Sequence, residues 1–215
     1  MNIGIIGSGH MGSALGTLWA QQGHQVIFSY SRDLAKLQAT AAAAGNLAKV
    51  GTPAEAIASS EVILIAVPPA VLEDLLSSLG GLDNKIVITC MSGLKPDFTG
   101  QTMGLATDFT LSVAERLAQL APGAKVVEAF NITFAEIIAS ESRQFGDRQP
   151  SIFYCGDDDA AKAIAAQLIA DCGYEPVDAG RLIVSRSLET LATAWVQFAV
   201  VGGFFPNLGL SALRR

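Results

Sequence analysis

Apolar positions along the chain alternate between short β-like runs and stripes of helical period, and the alternation predicts a mostly parallel α/β fold. Residues 2–6 form a short run rich in β-branched side chains. Behind them Met11, Ala14, Leu15, Leu18 and Trp19 stand at the spacing of a buried helix face, Gly23 is placed to end that helix, and residues 25–29 resume an apolar alternation. Strand, helix and strand together make a βαβ unit of about 30 residues.

The same rhythm continues downstream. Asp33 opens a predicted helix over 34–44 that Gly45 closes, and residues 49–51 serve as a third strand. Thr52-Pro53-Ala54-Glu55 is a capping box with proline at the first helical position, opening a helix to about residue 59. Residues 61–67, EVILIAV, are continuously apolar and stopped by Pro68 and Pro69, as expected of a central parallel strand covered on both faces. Further helices are predicted at 70–79, from the Ser112 box to about 121, at 134–140, from the 157–159 aspartates to 171, and from 181 to about 201. Strands are predicted at 85–90, 125–130, 151–155 and 175–178. Residues 94–108 read as a loop over the site, and 141–149 as a polar, mobile flap.

The predicted fold class is therefore α/β: a Rossmann-type, doubly wound, mostly parallel sheet extended by a small C-terminal α/β part. Residues 1–124 are expected to form the nucleotide-binding domain. Residues 125–215 are expected to complete the substrate crevice and to supply a dimer interface.

Composition narrows the function. The chain has 215 residues, 50% of them hydrophobic and only 16% charged, with a net charge of -6 and a pI near 4.8. That balance describes a compact globular protein and disfavours a general nucleic-acid or anionic-membrane binder. Cys90, Cys155 and Cys172 are odd in number and lie in or beside apolar runs, so they are expected to be reduced core residues of a cytoplasmic protein. The chain enters its first strand at once, which leads us to expect no signal peptide. Residues 191–205 are almost wholly apolar, yet fall short of the roughly 20 residues of a spanning helix, and suit a buried or subunit-facing helix better.

The chemistry sits between the first strand and first helix. Gly7-Ser8-Gly9-His10-Met11-Gly12 fits G-x-G-x-x-G, with the strand before it and the helix after it that the motif requires. Gly7 makes the turn, Gly9 lets the backbone approach a pyrophosphate, and Gly12 permits close helix–strand packing; the helix start then offers free N–H groups and a positive dipole end. At the end of the second strand stand Ser31, Arg32 and, one helical turn on, Lys36. Hydroxyl, guanidinium and ammonium there suit the 2′-phosphate of NADP better than the 2′-hydroxyl of NAD. Asp33 could instead be a ribose carboxylate, but it also stands where a helix cap is needed.

Val67 and Pro68 end the central strand and can pack on cofactor, though a proline pair is also a good strand terminator. Met91 and Ser92 follow the fifth strand as a candidate wall for the nicotinamide. Asn131, after the sixth long strand, can orient an amide or carbonyl or simply bond its own turn. The aspartates at 157–159 suit a helix start better than a metal. No hydrolytic or zinc constellation is present, and His10 and His24 are poorly placed as general acids.

Over nearly its whole length the chain resembles the NADPH-dependent coenzyme F420 reductases, deazaflavin-dependent NADP oxidoreductases. The likeness is carried by GSGHMG at 7–12, by Ser31-Arg32 with Lys36, by Val67-Pro68, and by VVEAFN at 126–131. At the back it is carried by CGDDDAAK at 155–162, PVDAG at 176–180 and RSLE at 186–189. It implies that residues 7–12 hold a pyrophosphate and that Ser31, Arg32 and Lys36 hold a 2′-phosphate. It further implies that Val67, Pro68, Ala129 and Asn131 lie near the meeting point of nicotinamide and deazaflavin. Two departures fall at that point: Met91-Ser92-Gly93 replaces the usual asparagine-proline, and Ile132-Thr133-Phe134 replaces a smaller turn with proline.

The resemblance implies hydride transfer between NADPH and coenzyme F420 or a similar planar acceptor, with geometry rather than an acid or base as the protein's contribution. It competes with an NADPH-dependent reductase of an imine, β-hydroxy acid or metal complex, and with a non-catalytic NADP(H)-binding redox sensor. Binding a glutamate-bearing deazaflavin asks for a basic rim, for which Lys95, Arg143, Arg148 and Arg186 are available. The expected partners are a small-molecule substrate and a second copy of the chain, with no nucleic acid and no membrane.

Overall fold

In the computed structural model the described residues are 1–96, 103–105, 107 and 109–215. The chain runs β1 (Asn2–Ile6), α1 (His10–Gln21), β2 (Gln25–Ser29), α2 (Leu34–Ala44), β3 (Ala48–Val50), α3 (Pro53–Ser59) and β4 (Val62–Ile65). It continues with α4 (Leu72–Ser78), β5 (Ile86–Thr89), β6 (Leu94–Pro96), β7 (Met103–Leu105), α5 (Val113–Leu120) and β8 (Lys125–Glu128). The last part is α6 (Ala135–Ile138), β9 (Ser151–Gly156), α7 (Asp159–Asp171), β10 (Glu175–Asp178) and α8 (Ser185–Val200).

Eight strands join in one sheet of order β10-β9-β8-β5-β4-β1-β2-β3. All neighbours are parallel except β8 and β9, where Val127 faces Gly156 and Glu128 faces Cys155 in antiparallel register. The expected Rossmann-type α/β class is what is found.

The central strand shows why the sheet is covered twice. Along β4, Val62 and Leu64 enter one core, with residues of α1, α2 and α7, while Ile63 and Ile65 enter the other, with residues of α3, α4 and α5. A run without polar alternation can satisfy both faces only in the middle of such a sandwich. Trp19 of α1, fully buried, donates from its indole N–H to the Leu168 carbonyl of α7 at 3.1 Å, tying the first helix to the C-terminal part.

Two expectations need correction. Part of the expected loop over 94–108 is a two-stranded antiparallel ribbon, with Leu94 opposite Leu105; residues 97–102, 106 and 108 lie outside the described residues. The last helix starts later than expected, at Ser185, after a separate 3₁₀ turn at Leu182–Val184. Its apolar period runs straight through that turn, so periodicity alone does not mark the break. The 141–149 segment holds an antiparallel bridge between Phe145 and Arg148.

Candidate nucleotide site

The C-terminal ends of β1, β2, β4, β5 and β8 share one edge of the sheet, because those strands are mutually parallel. The glycine turn lies on that edge. Gly7 has φ of 103°, a conformation glycine adopts without strain. A Cβ on Gly7 would collide with the Ala66 carbonyl, and one on Gly12 with the carbonyl of Gly7. A Cβ on Gly9 would meet nothing within 4 Å, so that face of the turn is open. Gly9 is also the N-cap of α1 and no side chain caps it, which leaves the first-turn N–H groups of His10, Met11 and Gly12 for a ligand or water. Ser8 is buried, its hydroxyl donating to the Ser29 carbonyl at 3.0 Å, so it braces the turn against β2 and does not face out. Met11 packs against the core with its side chain.

At the end of β2, Tyr30 has φ of 56°, turning the chain sharply before Ser31. The Ser31 hydroxyl donates to the Asp33 carbonyl at 3.0 Å. Asp33 is settled as the cap of α2: its carboxylate accepts from the Lys36 N–H at 3.0 Å. Arg32 and Lys36 are exposed and take part in no ion pair among the described residues.

At the other end of the edge, Val67 is buried against the turn and Pro68 is exposed. Met91 is buried, and its N–H donates to Thr89 Oγ1 at 3.1 Å. Ala129 lies wholly in the core, so it shapes the strand end without presenting a side chain to solvent. Phe130 follows with φ of 64°, strained for a bulky residue, and is held by edge-on contacts to Trp19 at 6.0 Å and Tyr174 at 6.5 Å. Directly after this kink, both polar atoms of the Asn131 amide are buried without a hydrogen-bond partner, as is Ser92 Oγ. Orphaned buried amides are rare in folded proteins.

The structure also brings together acids that the linear sequence does not connect. Glu128 at the end of β8 is wholly buried with neither carboxyl oxygen bonded, and burial, aided by the nearby Glu189 and Glu115, pushes its carboxyl well above the usual range. Glu189 of α8 is equally buried. Burial pushes its carboxyl up to about 7, although N–H groups of Gly93, Val113 and Ala114 pull the other way. No local motif marks either residue; only the strand order and the position of α8 make them neighbours.

The expected basic rim is divided. Arg186 is committed to Glu115, with two bonds of 2.7 Å. Arg143 lines a hollow of about 480 Å³ beside α1, together with Ser13, Thr17, Thr40 and Glu136. His10 is the one residue that this hollow shares with the glycine turn. Lys95 and Arg148 are exposed. Cys90, Cys155 and Cys172 are all free thiols. His24 is buried and bonds Asp171 at 2.9 Å, a structural link between the β2 entrance and α7.

A glycine turn feeding an uncapped helix at the strand-end edge of a parallel sheet defines a Rossmann-type dinucleotide-binding protein. Residues 2–93 match the family described as NADP oxidoreductase, coenzyme F420-dependent. A protein from Arthrobacter sp. FB24 proposed to be an F420-dependent NADP reductase superposes with a TM-score of 0.86 at 26% identity, each chain covering 100% of the other. The metalloreductase STEAP3 of Rattus norvegicus is 32% identical over 189 residues, which are 88% of this chain; the chain spans only 36% of that relative's length. A reductive aminase from Aspergillus terreus, solved with NADPH and ethyl-5-oxohexanoate, shares the fold with a TM-score of 0.66 at 23% identity. That match covers 94% of this chain and 63% of the aminase. Among the described residues no helix is long and apolar enough to cross a membrane, and no cluster of potential metal ligands is present.

Proposed function

We propose that the protein is a hydride-transferring oxidoreductase that uses NADP(H) with coenzyme F420 or a similar planar acceptor. The observation that carries the proposal is the pairing of two features on one edge: a glycine turn whose open face would take a pyrophosphate, and an unpartnered, buried Asn131 amide at the far end. An amide with both its donor and its acceptor free is the complement of a carboxamide, the polar group of a nicotinamide ring.

In this reading the first-turn N–H groups of α1 bind the pyrophosphate, and Arg32 and Lys36, unpaired by any carboxylate among the described residues, bind the 2′-phosphate. Ser31 joins them once its hydroxyl leaves its local turn. Val67 and Met91 present apolar surface that excludes water from the ring, and Asn131 fixes its rotation. Bound NADPH supplies the hydride. The protein contributes placement and dryness. Residues 1–124 form the nucleotide-binding part, residues 125–215 complete the crevice, and a cytoplasmic homodimer is the working form.

The likeness to a metalloreductase along 88% of the chain supports a second reading in which NADPH reduces a different acceptor. The departures at residues 91–93 and 132–134 lie where that acceptor would meet the ring. A screen of NADPH and NADH oxidation against coenzyme F420, free flavins and ferric chelates separates the readings. We expect turnover with F420 and a clear preference for NADPH. Turnover with ferric chelate alone selects the second reading, tight NADPH binding without any turnover selects a redox sensor, and retention of neither nucleotide overturns the proposal.

A further inference from the structure

Glu189 is bonded unlike any other acid in the described chain. Its Oε1 accepts from the Val113 N–H at 2.6 Å and its Oε2 from the Gly93 N–H at 3.3 Å. These amides belong to different segments: Gly93 to the turn after β5 that begins with Met91 and Ser92, Val113 to the first turn of α5. One buried carboxylate of α8 thus clamps the strand-end wall to two helices. Gly93 itself is buried, and a Cβ there would crowd Val113 and Glu189 Oε2 at 3.3 and 3.5 Å, so the wall has little room to shift. A second clamp reinforces the same joint, where the Ser112 and Ser185 hydroxyls bond at 2.6 Å.

We propose that Glu189 is a positioning residue: by holding the 91–93 wall it fixes where the nicotinamide ring lies, without touching the ring. The inference rests on the NADP(H) site proposed above. It requires both carboxylate oxygens as acceptors. Glutamine offers only one, and its NH₂ group would face an N–H donor, so Glu189→Gln keeps the shape and breaks one arm of the clamp. Protonation of Glu189 does the same to the wild type. The groups that face it are Glu128 on β8 and Glu115 on α5, both like-charged when ionised, with Arg186 already paired to Glu115. Cys90 beside Glu128 keeps its proton, its thiol pushed up to about 12 by burial, and Lys95 on β6 is exposed.

The test compares two ligands by calorimetry: NADPH, which reaches the wall, and 2′-phospho-ADP-ribose, which carries the same phosphates and lacks only the nicotinamide. We expect Glu189→Gln to lose about tenfold in NADPH affinity while 2′-phospho-ADP-ribose changes by less than about twofold. In the wild type the ratio of NADPH affinity to 2′-phospho-ADP-ribose affinity should fall as pH drops through about 7. Both ligands carry the 2′-phosphate and the pyrophosphate, so phosphate titration cancels from the ratio, which should be level with pH in the variant. A Glu189→Gln protein with an unchanged ratio, or a wild-type ratio level across this range, overturns the inference; the second measurement needs no variant to fold. Wild-type protein that binds neither ligand overturns the NADP(H) reading itself, a different result from normal 2′-phospho-ADP-ribose binding with an unmoved ratio.

Discussion

Gly9 and Gly12 are the same residue in one motif, yet they answer to different constraints. Gly12 is surrounded, and a methyl group there would strike the backbone of Gly7, so its replacement disturbs the fold before it disturbs any ligand. Gly9 has open space and an extended backbone with φ of -74° and ψ of -161°, which alanine also adopts. Gly9→Ala should therefore melt within about 2 °C of the wild type, with at most a small loss from the poorer cap. It should lose at least about tenfold in NADPH affinity, because its methyl group would occupy the space of the pyrophosphate. Thermal unfolding and calorimetry on one preparation check both halves, and unchanged NADPH binding would show that the turn is not the cradle. Glu128 gives a prediction of opposite sign, for stability. Its folded carboxyl is raised above the unfolded value, so the folded state holds a proton that the unfolded chain has released. Stability is then fully present below about pH 4 and declines as pH rises toward the folded pKa. Glu128→Gln removes that decline, so its melting temperature should match the wild type near pH 4 and exceed it by on the order of 5 °C at pH 8. An equal or lower melting temperature at pH 8 would mean that the carboxyl finds a partner in solution.

At the scale of elements, what was legible in the sequence is whatever local chemistry decides. The boxes at Thr52 and Ser112 form as reciprocal bonds, with Thr52 Oγ1 accepting from the Glu55 N–H at 3.2 Å and Ser112 Oγ from the Glu115 N–H at 2.9 Å. The cap at Asp33, the double-proline stop after β4 and the glycine turn all act within a few residues, and each stands where the pattern puts it. The parts that escaped the sequence are set by distant partners. The antiparallel entry of β9 depends on which strand edge is free once β8 has paired with β5, and no residue in 151–156 encodes a direction. The β6–β7 ribbon consists of two three-residue strands around undescribed residues, too short for alternation to register. The left-handed backbone at Phe130 is imposed by Trp19 and Tyr174, which are remote in sequence. The Glu189 clamp spans 96 and 76 residues. Within the candidate site the glycine turn was therefore readable from its motif, whereas the wall that would set the ring position was not.

At the scale of the whole molecule, the apolar surface is concentrated at the C-terminal end. Leu191, Phe198 and Val201 follow one another at about two-turn and one-turn spacing on the outer side of α8 and its extension, at 37%, 58% and 63% exposure. Phe204 and Phe205 lie just beyond, also exposed, and Phe205 makes an edge-on contact with Phe134 at 5.1 Å. An exposed cluster of large apolar side chains is costly to leave in water and marks an interaction surface. A symmetric dimer about α8 would cover it with an identical stripe, and the link from Phe205 to Phe134 would bring that interface close to the strand end that carries Asn131. Light scattering should then give twice the 22.4 kDa chain mass for the wild type. Phe198→Glu, which sets two carboxylates against each other across the symmetry axis, should give the monomer mass with 2′,5′-ADP affinity unchanged, since the adenosine site proposed at the end of β2 is at the far side of the sheet. A wild-type protein at the monomer mass across the micromolar range would reject the dimer and leave the stripe for some other apolar surface to cover.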